Sequence, residues 1–401
     1  SIPAHRAAVR QLPLFARRVP GVMMHNTGLA AGMGRLYEGG DLAAALAQAR
    51  ARTLAIYSHL DLGALEVPQL PVVNLPLWEL SHIAWFQEFW CLRGGDASRP
   101  SLLPGADGLF NSSTVAHATR WALDYPPQSR LRAYMGETLA ATQEAFAREA
   151  PGGDRYFFEL ALRHEDMHAE ALLMTLQRLS LPAPPLEGPL APAAVKPGAG
   201  DVAFEGGTFL QGTERADFVF DNESRPHEVT VESFAMASRL VTQGEYADYL
   251  EDSGAAPPAH WRREGAAWLA RRFDRWEGIE RSSPMVHVSL PQAQAYCAWA
   301  GRRLPTESEW EFAATHDKAK ALRDMAGAVW QWTSTPFAPY PGFVPGPYRD
   351  YSQPWFHDHT VLRGGSFATT ARIATSRYRN FYRPERDDPF AGLRTCAVRP
   401  R

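Results

Sequence analysis

Cysteine is scarce. Cys91, Cys297 and Cys396 are the only three in 401 residues, and they lie far apart. That spacing offers no C-x-x-C pair and no disulfide framework, so a small stapled secreted fold is excluded and a reducing cytoplasm is the expected setting. An excess of one charge is also lacking. With 41 basic and 44 acidic residues the formal net charge is -3. A nucleic-acid binder would normally carry a basic excess to meet phosphates. No apolar run approaches the roughly 18 residues of a membrane span. The N-terminal stretch carries Arg6, Arg10, Arg17 and Arg18 but no clean apolar segment before a cleavage site, so no signal peptide is expected. The expected partners are small molecules, with no nucleic acid and no membrane.

What is present is ordinary globular composition, 45% hydrophobic and 21% charged, in a length that suits two or three domains. The clearest boundary is 181–200, LPAPPLEGPLAPAAVKPGAG, whose six prolines and three glycines carry no helical or alternating pattern. It reads as an extended linker. Before it the chain reads helical. Asp41 precedes LAAALAQARARTLAIYSHL. Asn74 and Pro76 open PLWELSHIAWFQEFWCLR, which Gly94 and Gly95 stop. A third helix runs from about Ser129 to Ala150, and Asp154 opens RYFFELALRHEDMHAEALLMTLQRL. Four helices with apolar stripes suggest a bundle. After the linker, FEGGTFLQGT and HEVTVESFAMASRLVT look like short strands. LPQAQAYCAWAG and TESEWEFAAT look like short helices, and a long Trp/Tyr/Pro/Gly region follows. The expected class is α+β: a helical bundle over 1–180, a Pro-rich linker over 181–202, and an irregular domain over 203–401.

His164 and His168 lie four apart on the fourth helix, which places both imidazoles on one face, where two ligands can reach one metal. His82 sits mid-helix amid Trp78, Trp85, Phe86 and Trp90, and an antiparallel neighbour can bring it onto the pair. Three neutral imidazoles leave positions open on a metal, as catalysis requires. Glu165, Asp166 and Glu170 are candidates to orient the imidazoles. Two blander readings stand beside this one. His82 alone suits a core histidine. The whole set suits a binding module in which the histidines pack. A third reading takes His164-Glu165-Asp166-Met167-His168 as the H-E-x-x-H of a zinc peptidase with Glu165 as base. No downstream ligand extension follows it.

The second half carries longer motifs. Phe204-Glu205-Gly206-Gly207-Thr208-Phe209, Asn222-Glu223 with Pro226-His227, and Arg302-Arg303-Leu304-Pro305-Thr306-Glu307-Ser308-Glu309-Trp310-Glu311 occur in that order. Val329-Trp330-Gln331-Trp332-Thr333 and Leu362-Arg363-Gly364-Gly365-Ser366-Phe367 follow. This series resembles the formylglycine-generating-enzyme fold, a variant of the C-type-lectin-like fold. The helical half resembles the damage-inducible-protein type of four-helix bundle. Their fusion resembles the ergothioneine-type sulfoxide synthases, non-haem iron oxygenases that join sulfur to C2 of the imidazole of a histidine betaine. The resemblance implies Fe(II) held by His82, His164 and His168, with O2 as co-substrate. It implies a betaine contact at Asn380 in Tyr378-Arg379-Asn380-Phe381-Tyr382, with Phe381 beside it. It also implies a tyrosine as proton or electron donor, for which Tyr348 stands in the expected place and Tyr351 and Tyr382 compete.

Departures bear on the second substrate. Members that use γ-glutamylcysteine carry several arginines after Phe-Asn-Ser and an acid after Asn-aromatic. Here Leu109-Phe110-Asn111-Ser112-Ser113 is followed by the single Arg120, and the acidic position is Tyr382, with Arg386 beyond it. A less charged donor suits that pattern. With His117-Ala118-Thr119-Arg120-Trp121 and Arg394-Thr395-Cys396-Ala397 it resembles the selenoneine-synthase branch, which joins a selenosugar to hercynine, the trimethylated betaine of histidine. A thiol donor, cysteine or γ-glutamylcysteine, is the alternative. Met167 stands where some members place a glutamine that helps bind the betaine.

Overall fold

The computed structural model describes residues 41–149, 153–188, 190–198, 200–213 and 218–398. The N-terminal arginines lie outside the described residues.

Helix α1 (Asp41–Ile56) and helix α2 (Pro76–Gln87) begin the helical half. Pro76 stands in the first turn of α2, where its missing N–H costs nothing. Asn74 does not cap the helix. Leu75 takes the N-cap in extended conformation, and the Asn74 side chain accepts from Arg120 Nη1 at 2.6 Å. Helix α2 is buried along almost its whole length, Trp78, Glu79, His82, Trp85 and Phe86 included. It runs on into a π-turn, Glu88–Leu92. The buried Glu88 carboxylate anchors that turn by accepting from Leu102 N at 2.7 Å, Ser101 Oγ at 2.9 Å and the Tyr134 hydroxyl. Gly95 ends the run with φ +78, and a Cβ there would lie 2.7 Å from the Trp90 ring. Only glycine fits.

A short helix α3 (Ala106–Phe110) and a 3₁₀ turn (His117–Ala122) lead to α4 (Gln128–Arg148) and α5 (Tyr156–Arg178). Neither short element is marked by periodicity in the sequence. One guanidinium joins the four long helices. Arg50 of α1 donates to Gln87 of α2 at 2.7 Å, to the Met135 carbonyl of α4 at 2.5 Å, and to both Glu165 oxygens of α5 at 2.8 and 3.2 Å.

After α5 no helix or strand occurs before Asp201 among the described residues. The stretch nevertheless packs. Leu181, Leu186 and Leu190 lie against the main core, and Val195 is buried, its N–H bonded to the Ser282 carbonyl at 2.7 Å. The second half has small sheets. One is antiparallel through Asn380–Tyr382, Thr360–Arg363 and Trp330–Pro336, with Ala391–Gly392 added in parallel. Its register pairs Leu362 with Asn380 and Thr360 with Tyr382. Helices α6 (Gln243–Ser253), α7 (Leu290–Trp299) and α8 (Glu307–Thr315) each open with a complete capping box, Thr242/Glu245, Ser289/Gln292 and Thr306/Glu309. A three-stranded sheet over Trp261–Glu264, Ala267–Arg272 and Arg275–Gly278 had no counterpart in the sequence reading. In its first two strands only Trp261 is buried, so the alternation that burial imposes on a strand is weak there. The architecture is α+β, with a helical first part and a second part of short sheets and loops.

Helix α5 faces both parts. Toward the later chain, Asp166 pairs with Arg372 through both oxygens, and Glu170 accepts from Trp330 Nε1 at 2.8 Å, Ser366 Oγ at 2.6 Å and Thr369 Oγ1 at 2.6 Å. No helix among the described residues is long and apolar enough to cross a membrane.

Candidate metal centre and the adjoining cavity

His82 of α2 and His164 and His168 of α5 meet in the interior. One ring nitrogen from each lies within 4.8 Å of those of the other two. The rings are splayed, with centroids 5.1, 5.0 and 4.4 Å apart and interplanar angles of 61°, 68° and 54°. The outer nitrogens show which atoms face inward. His82 Nδ1 is 2.8 Å from the Phe110 carbonyl, and His168 Nδ1 is 2.7 Å from Glu79 Oε1. A carbonyl and a carboxylate only accept, so His82 Nδ1 and His168 Nδ1 each carry a proton, which leaves Nε2 as the nitrogen each ring can offer a metal. His164 Nδ1 is buried without a partner, and its ring stacks on Phe86 at 3.5 Å. Burial, followed by the neighbouring His168, holds His82 and His164 well below the ordinary histidine range. Neutral, converging imidazoles are the form that binds a cation.

The acidic residues beside the histidines do not orient them. Helix neighbours one or two positions away point to other faces. Glu165 is held by Arg50, Asp166 by Arg372, and Glu170 by Trp330, Ser366 and Thr369. Glu165 is 1% exposed with both oxygens engaged, so it is not free to act as a base at the cluster, as the H-E-x-x-H reading requires. The group that orients His168 is Glu79, absent from the sequence reading. A carboxylate inside a buried apolar helix, three residues before His82, was the available signal.

A cavity of about 290 Å³ adjoins the histidines, between α2 with its π-turn and the loop 347–350. Trp85, Phe86 and Trp90 line one side, and Ser112, Tyr348 and Asp350 are among the other lining residues. Three of these lie against the cluster. Trp85 stacks on His82 at 5.8 Å, Phe86 stacks on His164, and the Tyr348 ring centre is 6.4 Å from that of His164. Burial and the nearby Asp350 charge push the Tyr348 phenol up to about 12, with the Ser112 hydroxyl opposing. It keeps its proton at neutral pH.

The other candidates fall elsewhere. Asn380 and Tyr382 share one face of their strand, and Phe381 points to the other, stacked on Phe337 at 4.1 Å. Asn380 Oδ1 accepts from Phe381 N at 2.9 Å. The Tyr382 hydroxyl is 3.9 Å from Met174 Sδ of α5, and burial with the Glu170 charge pushes it up. Arg386 is paired with Asp388 by two bonds of 2.5 Å and lies over the Tyr382 ring. Arg120 is not among the cavity-lining residues. Tyr351 and Tyr378 bring their hydroxyls within 3.1 Å of each other beside Met167, whose sulfur lies 3.2 Å from the Tyr378 hydroxyl.

The sequence matches the sulfatase-modifying factor enzyme 1-like domain family over residues 187–321 and 316–399. It is 34% identical over 417 residues to a protein of Mycobacterium tuberculosis named hercynine oxygenase, covering 88% of this chain and 97% of that one. A protein of the same name from Mycolicibacterium thermoresistibile is 32% identical over 426 residues, covering 88% and 94%. Ergothioneine biosynthesis protein 1 of Schizosaccharomyces pombe is 29% identical over 198 residues, 41% of this chain and 26% of that one.

Proposed function

Since the chain belongs to the hercynine oxygenase family of ergothioneine-type sulfoxide synthases and is an oxygenase, we propose that it joins a chalcogen donor to C2 of the hercynine imidazole, and that the donor is a selenosugar. The observation that carries this reading is the convergence of His82, His164 and His168 within 4.8 Å beside the cavity. Three converging imidazoles, two of them with the outer nitrogen already hydrogen-bonded, fit a divalent transition metal with open positions. Fe(II) bound there would supply the one-electron chemistry and O2 activation that no side chain offers.

The chain's own residues do the rest. Trp85, Phe86 and Trp90 make an apolar wall that limits water near the histidines. Tyr348 presents a protonated phenol beside His164 and is the proton donor. The family resemblance gives the betaine end to Asn380, outside the cavity lining, with Tyr382 on the same face of the strand, Arg386 over the Tyr382 ring and Phe381 on the far face. With an oxide as product the reaction balances: the Se–H and C2–H bonds break, C–Se and Se–O bonds form, and both hydrogens leave in one water from O2.

The lining supports the selenosugar. A peptide thiol with two carboxylates calls for several arginines, whereas the cavity offers Arg349 alone, among aromatic faces and the Asn111, Ser112 and Ser113 side chains. The test is a competition in air. The Fe(II)-loaded protein receives hercynine with equal selenosugar, γ-glutamylcysteine and cysteine, and products are identified by mass spectrometry. A dominant selenium adduct is expected. A dominant sulfur adduct would keep the family and replace the donor.

A further inference from the structure

The three imidazoles are not held alike. His82 donates to a neutral carbonyl, His164 has no partner at Nδ1, and His168 donates to a carboxylate. That carboxylate, Glu79, is 1% exposed and comes from α2, while His168 belongs to α5. The bond therefore braces the two helices that carry the cluster. Burying a carboxylate costs several kcal/mol unless it is paired or hydrogen-bonded, so the Glu79 position demands a donor, and His168 Nδ1–H is the one at 2.7 Å.

We propose that Glu79 is the positioning residue of the centre: it fixes His168 in the Nδ1–H tautomer, aims Nε2 at His82 and His164, and makes His168 the strongest of the three donors. The proposal rests on the metal reading given above for its second half only. A carboxylate behind an imidazole raises the electron density at the opposite nitrogen, and loss of such a partner typically lowers metal affinity about 10–100-fold. His82, with a carbonyl behind it, and His164, with nothing, gain less.

Two measurements on two variants test it. Glu79→Gln keeps an acceptor oxygen and removes the charge, and Glu79→Ala removes both. The first measurement is the imidazole ¹⁵N–¹H correlation of histidine-labelled, metal-free protein. Wild type and Glu79→Gln should show His168 as Nδ1–H, and Glu79→Ala should shift it toward Nε2–H. The second is Fe(II) affinity by competition with a chromophoric chelator. A loss of roughly tenfold is expected for Gln and nearer 100-fold for Ala. The proposal is overturned if Glu79→Ala keeps the Nδ1–H tautomer, or if both variants bind iron as wild type does. A wild type that shows the tautomer but takes up no iron overturns the metal reading and the affinity claim together, and supports the tautomer claim.

Discussion

The Arg120 guanidinium carbon lies 3.6 Å from the Trp78 ring centre, directly over the indole. Trp78 in turn stacks on His82 at 4.9 Å and 6°. Arg120 also donates to Asn74 Oδ1 and the Val115 carbonyl. A cation, an indole and a candidate metal ligand thus form one column, and the arginine stands behind the site, outside the cavity lining.

That column sets the first prediction. Arg120→Met should cost about 2–4 kcal/mol of stability, from a desolvated cation–π contact and two charged hydrogen bonds, measured by urea unfolding. The ratio of KM for a selenosugar to KM for γ-glutamylcysteine should stay within twofold of wild type. A ratio that moves tenfold would place Arg120 in donor recognition.

Arg50 sets the second. With Glu165 at 1% exposure beneath it, Arg50→Met leaves a buried carboxylate unpaired and should cost about 3–5 kcal/mol. The double variant Arg50→Met/Glu165→Leu should recover a large part of the loss, because no buried charge remains. A double-mutant cycle by thermal or urea unfolding measures the coupling. If the double variant is as unstable as the sum of the singles, the pair is not the brace of the four helices.

These two arginines also show how far the sequence could be read. The histidine set was legible because i, i+4 spacing on a helix places residues on one face and because His82 interrupts an aromatic run. The partners of those histidines were not legible. Glu165, Asp166 and Glu170 are close to them along the chain, yet helical rotation turns them away from the histidines, Glu165 to Arg50, and Asp166 and Glu170, four apart on one face, to Arg372 and to Ser366 and Thr369. Glu79 reaches His168 across a helix–helix contact, which no single-chain spacing encodes. The three-stranded sheet over 261–278 escaped for a different reason, since its contact with the core rests on Trp261, Trp268 and Ala270 among many arginines, too few apolar positions to set an alternation.

Loss of a ligand is the third prediction. His82→Ala, His164→Ala and His168→Ala should each lower iron retained after gel filtration from about one per chain toward none. Chelator treatment of the wild type should abolish turnover, and Fe(II) should restore it. Retention of stoichiometric iron by all three variants would move the metal elsewhere in the protein.

Tyr348 gives the fourth. If its phenol is the proton donor, Tyr348→Phe should lower kcat by about 10²–10³-fold with little change in iron content. Because its pKa is pushed up to about 12, the wild-type rate should show no alkaline fall from this group below about pH 11. Equal rates for Tyr348→Phe and wild type would hand the role to Tyr382 or remove it from the reaction.

Glu223 supplies the last, on stability alone. Its carboxyl is buried with Oε1 unpartnered. Burial outweighs the nearby Arg363, Arg163 and Arg379 and pushes it up to about 8 from an ordinary 4.5. The native state therefore holds this proton over a range in which the unfolded chain has released it. The sign follows from proton linkage: the contribution is fully present below about pH 4.5 and is lost as pH rises toward about 8, at about 1.4 kcal/mol per unit. Glu223→Gln mimics the protonated acid at every pH. Its melting temperature should match the wild type near pH 5 and exceed it increasingly up to pH 8, where the difference levels off. Parallel pH profiles for the two proteins would mean that Glu223 ionises in the folded state as readily as in the unfolded one, and that the arginines around it, not burial, decide its charge.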